Sequence, residues 1–307
     1  MARSEEPSNN RKVWIEAVRP RTLPLAVASI VMGSALAAAW QPFNWTVAIL
    51  CVLTAVLLQI LSNLANDFGD SQHGADHARR EGPKRAVQSG AISEKTMLRA
   101  IAITALLSMV SGLALLWFAF GDDARELFIL FVLLGALAII AAIAYTAGFK
   151  PYGYAGLGDL SVLLFFGWLG VMGTYFLHTL RFDWMIIFPA TCSGLLAVAV
   201  LNVNNIRDAE SDRLAGKRTI PVRIGPKRAR VYHWILLATA VLCACVYVLL
   251  VYSSLWQFLF ILAVPLLIKN GLAVWRTQSP REINPLLKQL SLVTLLFVLL
   301  FSLGQLL

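Results

Sequence analysis

Trp45-Thr-Val-Ala-Ile-Leu-Cys-Val-Leu-Thr-Ala-Val-Leu-Leu-Gln-Ile-Leu-Ser-Asn-Leu64 is a stretch without a single charged residue, and Ala65-Asn66-Asp67-Phe68-Gly69-Asp70 follows it directly. About 20 residues of apolar helix cross the hydrocarbon core of a bilayer. The stretch therefore reads as a membrane span that delivers an Asn and two Asp to the membrane rim. Similar apolar runs recur at 23–40, 98–120, 127–147, 160–177, 184–203, 231–252, 255–275 and 290–307. Nine spans in all are predicted. Run 23–40 is of spanning length and leads straight into a second span, which separates it from a cleavable signal peptide.

Composition agrees. Of 307 residues, 58% are hydrophobic and only 14% charged, whereas a soluble domain carries about 25% charged residues. The mean hydropathy is +0.71. There is too little polar surface to cover a water-soluble globule, and the same figures exclude disordered, collagen-like and disulfide-rich chains. Cys51, Cys192, Cys243 and Cys245 all lie inside apolar runs without His or acid at ligand spacing, and read as small buried hydrophobes. The expected fold is an all-α polytopic membrane protein, with a cytoplasmic segment over 1–22 and one transmembrane domain over 23–307.

The net charge of +9 would raise nucleic acid as a partner of a soluble protein, but here the placement of the charges points to the lipid bilayer instead. Of the 26 Lys and Arg, all but Arg125 and Arg181 fall on alternate loops that belong to one side. By the positive-inside rule that side is the cytoplasm, the N-terminus lies there, and an odd number of spans puts the C-terminus outside. The expected location is a cell membrane, with the basic loops on its cytoplasmic face.

Acids beside a membrane span are expensive unless they serve something. The second span runs into Asn66-Asp67-Phe68-Gly69-Asp70, with Asp76 beyond, and the sixth into Asn204-Asn205-Ile206-Arg207-Asp208, with Asp212 beyond. The two patterns superpose with a constant offset of 138 residues. On a continuing helix Asn66 and Asp70 share a face, as do Asp208 and Asp212. Like charges at that spacing repel, so stability alone does not favour the second pair, and a divalent cation would relieve it. The repetition suggests two four-helix units, 23–150 and 160–276, with a final helix over 290–307. Facing halves of this kind would gather both acid sets around one cavity. Mg²⁺ is typically held by one or two carboxylates plus substrate phosphate oxygens, and neighbouring Lys and Arg neutralise the remaining phosphate charge. A diphosphate with a lipid tail, handled at the membrane rim, fits this arrangement.

These two acidic patterns resemble the aspartate-rich motifs of the UbiA superfamily of intramembrane aromatic prenyltransferases. The segment from Tyr145 to Asp159 resembles the branch that acts on 1,4-dihydroxy-2-naphthoate in menaquinone synthesis, as do Arg19-Pro20-Arg21-Thr22-Leu23-Pro24 and Asn202-Val-Asn204-Asn205-Ile-Arg207-Asp208. The superfamily usually has an acid where this chain has Gly74, and the next acid here is Asp76.

The resemblance implies a UbiA-like fold and transfer of a polyprenyl group from polyprenyl diphosphate to 1,4-dihydroxy-2-naphthoate, with loss of carbon dioxide and release of pyrophosphate. It implies Mg²⁺ held by Asn66, Asp67, Asp70, Asp76, Asp208 and Asp212. Arg21, Lys150, Lys217, Arg218 and Asn205 become candidates for contacting substrate. Tyr145 joins Asp70, Asp208 and Asp212 as a catalytic candidate, because its aromatic face could stabilise an allylic cation. His73 and His77 read as loop residues, and His178 and His233 as interfacial.

Two other functions compete. A secondary transporter also uses duplicated helical units, but its coupling acids belong near the bilayer midplane, where no predicted span here carries a charge. A sister prenyltransferase acting on 4-hydroxybenzoate is the nearest alternative, disfavoured by the 145–159 segment. No motif specifies the prenyl chain length or the oligomeric state.

Overall fold

The computed structural model describes residues 7–72, 85–121, 124–277 and 279–307, and those residues form helices and loops without any strand. Nine helices among them are long and apolar enough to span a bilayer. They begin with Arg11–Ala38, which ends in α2 (Leu23–Ala38), followed by α3 (Trp45–Gln72), α4 (Glu94–Phe120) and α5 (Arg125–Ala144). The fifth span, Gly158–Thr179, starts as α6 (Gly158–Val162), is wound as a π-helix over Leu163–Gly173, and finishes as α7 (Thr174–Thr179). The remainder comprises α8 (Ile187–Leu214), α10 (Pro226–Leu250), a 3₁₀ stretch Leu255–Ala263 running into α11 (Val264–Arg276), and α12 (Pro280–Leu306). The short helix α9 (Ile220–Ile224) lies outside the spans, while most of α1 (Pro7–Val18) belongs to the first of them.

Several helices outrun the apolar segments that predict them. The apolar reading stops at 64 and 203, yet α3 continues to Gln72 and α8 to Leu214. Both acidic motifs are therefore helical, on the last turns of helices that are each 28 residues long. At 1.5 Å per residue such a helix is about 42 Å long, enough to carry its end beyond the hydrocarbon core.

The described part of the N-terminal segment, 7–22, is packed on the bundle. Val13, Trp14 and Ala17 of α1 pack with Leu58, Leu61 and Leu64 of α3 in one apolar cluster. Between α1 and α2, Arg19 adopts a left-handed backbone conformation (φ 54°) and its carbonyl accepts hydrogen bonds from the backbone N–H and hydroxyl of Thr22. Such a conformation costs a non-glycine residue about 1 kcal/mol or more and is held here by the turn it makes.

The largest core is organised on α8, whose Leu196 and Val203 pack in a cluster with Leu236 and Leu237 of α10, Phe260, and Phe297 and Phe301 of α12. The ninth span is no peripheral addition, since α12 packs on α2, α8 and the Leu255–Ala263 stretch. The outward faces are apolar: on α5 Ile129, Leu133, Leu137 and Ile140 are all exposed. In water such a face would be a liability; against lipid it is the expected surface. Within the bundle, the Ser29 hydroxyl of α2 lies 2.5 Å from the Phe166 carbonyl in the π-helical stretch. His233 is fully buried, with its Nε2 3.3 Å from Asn270 Oδ1. His178 is buried beside Ser34, and His73 and His77 lie outside the described residues.

Candidate active site

Asp70, Asp208 and Asp212 are all buried, between 3% and 5% exposed. Charges this deep require partners, and each partner here is identifiable. Asp70 accepts a hydrogen bond from Arg85 Nη2 at Oδ2 (2.7 Å) and from the Tyr154 hydroxyl at Oδ1 (3.1 Å). Lys217 Nζ stands 4.0 Å from the same Oδ1 and 3.8 Å from Asp212 Oδ1. One ammonium thus faces both acidic motifs, and the ends of α3 and α8 converge. The Lys217 backbone N–H donates to the Asp212 carbonyl, which turns the chain back after α8, and its Nζ lies 5.3 Å from the centre of the Tyr154 ring. Burial alone would lower the pKa of this ammonium, but Asp70 and Asp212 hold it above the usual lysine range.

Asp208 is gripped by its neighbour. Arg207 donates Nε to Oδ1 (2.7 Å) and Nη2 to Oδ2 (2.6 Å), and also reaches Asn204 Oδ1 at 2.8 Å and Asn284 Oδ1 at 2.6 Å. Arg21 Nη1 lies 3.5 Å from the same Asn284 oxygen. Arg19, Arg21, Arg85 and Arg207, with Glu16, Asp67 and Asn204, line a cleft against α1. Arg85 belongs both to this cleft and to Asp70.

The Tyr145–Asp159 segment touches both the end of α3 and the chain just after α8. The Thr146 hydroxyl lies 2.8 Å from Asn66 Oδ1 and 3.2 Å from the Ala65 carbonyl. Gly69 packs so tightly on the Thr146 carbonyl that a Cβ there would collide with it. The Arg218 backbone N–H donates to the Tyr154 carbonyl (2.9 Å), and Arg223 Nη2 to the Ala155 carbonyl. Tyr145 sits edge-on to Tyr152, with ring centres 5.4 Å apart. Burial, with Asp159, Asp212 and Asp70 acting against Lys217, pushes its hydroxyl up to about 12. Asp159 itself accepts a hydrogen bond from the Tyr232 hydroxyl at 2.9 Å.

Not every candidate joins this cluster. Both oxygens of Asp67 accept backbone N–H groups, from Ala86 and Val87 at 3.0 Å each, so this carboxylate tethers the chain after 85. Lys150 is exposed, its ammonium 5.7 Å from the ring of the equally exposed Phe149. Arg218 contributes its backbone while its side chain is exposed. Asn205 is buried on α8, and Asp76 lies outside the described residues. Arg85, Tyr154, Arg207 and Asn284 carry contacts that no motif reading assigned to them. Tyr154 was within reach of inspection, as part of the 145–159 segment; Asn284 gave no local signal.

Among the described residues no three His, Cys, Asp or Glu side chains are grouped so that they could hold a metal ion by themselves. The donors that do converge are all oxygens, which suits a hard cation whose coordination is completed by substrate phosphates.

The sequence profile of the UbiA prenyltransferase family matches residues 26–300. The chain belongs to this family. Over 307 residues the protein is 51% identical to a Haemophilus influenzae protein named 1,4-dihydroxy-2-naphthoate octaprenyltransferase, with 99% of each chain covered. It is 49% identical to the Escherichia coli protein of the same name, covering 98% of this chain and 97% of that one. The UbiA fold also appears in the structure of a UbiA homolog from Aeropyrum pernix, with a TM-score of 0.67 at 19% identity, covering 92% of this chain and 96% of that one. A UbiA homolog from Archaeoglobus fulgidus, bound to DMAPP and Mg²⁺, gives 0.61 at 19% identity, covering 95% and 98%.

Proposed function

We propose that the protein transfers a polyprenyl group from its diphosphate to 1,4-dihydroxy-2-naphthoate, releasing carbon dioxide and pyrophosphate and yielding demethylmenaquinone. The observation that carries this reading is the meeting of Asp70, on α3, and Asp212, on α8, at the single ammonium of Lys217. The names of relatives that match nearly the whole chain at 49–51% identity support the choice of acceptor.

Asn66, Asp70, Asp208 and Asp212 are the oxygen donors assigned to Mg²⁺, with Asp76 as a further candidate from outside the described residues. Bound there with the substrate diphosphate, Mg²⁺ supplies positive charge to the departing pyrophosphate. Lys217 sits where it could neutralise the remaining phosphate oxygens. Arg19 and Arg21, in the cleft that Arg85 and Arg207 also line, suit the carboxylate of the aromatic acid. Tyr145, neutral at physiological pH, presents a ring rather than a charge to the allylic carbon. Asp67 is assigned to holding the 85–92 segment in place. Lys150 and Arg218 are assigned to the surface. The site is placed on the cytoplasmic side of a bacterial inner membrane, where the basic loops lie.

The test is incubation of the purified protein with Mg²⁺, a series of polyprenyl diphosphates and both 1,4-dihydroxy-2-naphthoate and 4-hydroxybenzoate, read by product mass. A gain of the prenyl group less carbon dioxide on the naphthoate, abolished by EDTA, is expected. Exclusive prenylation of 4-hydroxybenzoate would overturn the choice of acceptor.

A further inference from the structure

The cations around the acids are held in two different ways. Arg85 and Arg207 are committed, hydrogen-bonded at 2.6–2.7 Å to Asp70 and Asp208. Lys217 is not. Its ammonium lies at ion-pair distance, 4.0 and 3.8 Å, from one oxygen each of Asp70 and Asp212. It is buried, and its stem comes from the turn just beyond α8. Lysine is a compact point charge on a flexible stem, so such a group can leave without breaking a planar, bidentate pair.

We propose that Lys217 and the divalent cation compete for Asp70 and Asp212, and that the substrate diphosphate settles the exchange by taking the ammonium. Mg²⁺ binds carboxylate oxygens at about 2.0–2.1 Å. An ion at that distance from Asp70 Oδ1 or Asp212 Oδ1 would share a low-dielectric pocket with the ammonium now facing the same oxygens, and two cations so placed repel. The metal by itself must displace Lys217 from Asp70 and Asp212, and both oxygens of Asp208 are already taken by Arg207. The metal together with a diphosphate brings a new anion for the ammonium with it. Lys217 therefore makes metal and diphosphate binding mutually favourable, a coupling that must be reciprocal.

The inference rests on the assignment of Asp70 and Asp212 to the metal, and its test separates the two. Free Mg²⁺ is titrated calorimetrically into purified wild type, Lys217→Met, Lys217→Gln, Lys217→Arg and Asp70→Asn, with and without inorganic pyrophosphate, after thermal melts establish which variants are folded. In wild type, pyrophosphate should tighten Mg²⁺ binding by roughly fivefold or more. In Lys217→Met, or Lys217→Gln if the methionine variant does not fold, Mg²⁺ alone should bind tighter than in wild type by roughly fivefold or more, and the effect of pyrophosphate should shrink. Lys217→Arg, which keeps the charge, should retain the coupling. Mg²⁺ affinity that is unchanged or weaker once the ammonium is removed overturns the competition. Asp70→Asn with a wild-type Mg²⁺ isotherm instead overturns the metal assignment itself, whatever the lysine variants do.

Discussion

Asp70 receives Arg85 at one oxygen and Tyr154 at the other, with Lys217 close to the second, so its charge is balanced from three segments of the chain. A hydrogen bond to a charged group contributes about 1.5–3 kcal/mol. Tyr154→Phe removes one such bond from a buried carboxylate and should slow prenyl transfer by roughly tenfold, since each 1.4 kcal/mol is a factor of ten. Steady-state rates at saturating Mg²⁺ check this, and an unchanged rate would remove Tyr154 from the site. Lys217 makes a second prediction through pH. Its pKa is raised in the folded protein above the unfolded value of about 10.4. The stability it contributes is then fully present below that value and lost as pH rises through the folded one. Melting midpoints of wild type and Lys217→Met should differ by a constant amount from neutral pH to about pH 10, then converge. A gap already closed near about pH 8 would mean that the ammonium is not held by the acids.

At the scale of elements, the site depends on the end of α3 lying flush against the turn at 145–147. Gly69 permits this, because any Cβ would meet the Thr146 carbonyl. Gly69→Ala should cost about 1–3 kcal/mol, the usual penalty for overpacking, and lower activity as well, because Asn66 and Asp70 move with the helix. Thermal melts in detergent beside activity assays test it; a stable, fully active alanine variant would show that the contact does not position the motif. Asp67 tethers a different element. Asp67→Ala should lose about 1.5–3 kcal/mol of stability with the two N–H contacts to Ala86 and Val87, while Mg²⁺ affinity in the folded variant stays at the wild-type value. Loss of Mg²⁺ binding without loss of stability would return Asp67 to the metal.

For the whole molecule, the separation of basic and basic-poor loops is a statement about orientation. The exposed Phe149 lies in the loop between the fourth and fifth spans, and Arg181 lies between the fifth and sixth, so they fall on opposite sides of the membrane. A membrane-impermeant maleimide should label Phe149→Cys in inverted vesicles and Arg181→Cys in right-side-out ones. The native thiols are buried or half-buried within helices and contribute little background. The reverse pattern would place the site on the outer face. Because α12 packs on α2 as well as α8, the first and last spans of the chain close one bundle, and truncation before α12 should unfold the domain rather than trim it.

Hydropathy and the two repeated Asn/Asp patterns predict, from the chain alone, nine spans and the helix ends at which the acids emerge. Those are local properties, set by the length of an apolar run and by the 3.6-residue period. Which cation serves which acid is a different matter. Lys150 and Lys217 look equivalent in the sequence, yet one ends exposed beside Phe149 and the other buried between Asp70 and Asp212. Tyr154 reaches Asp70 across 84 residues, and Arg21 shares the Asn284 amide with Arg207 across 263. Only the tertiary structure decides such pairings, because a long side chain finds its charge partner through the path of the loops and the packing of distant helices, neither of which has a local period to read.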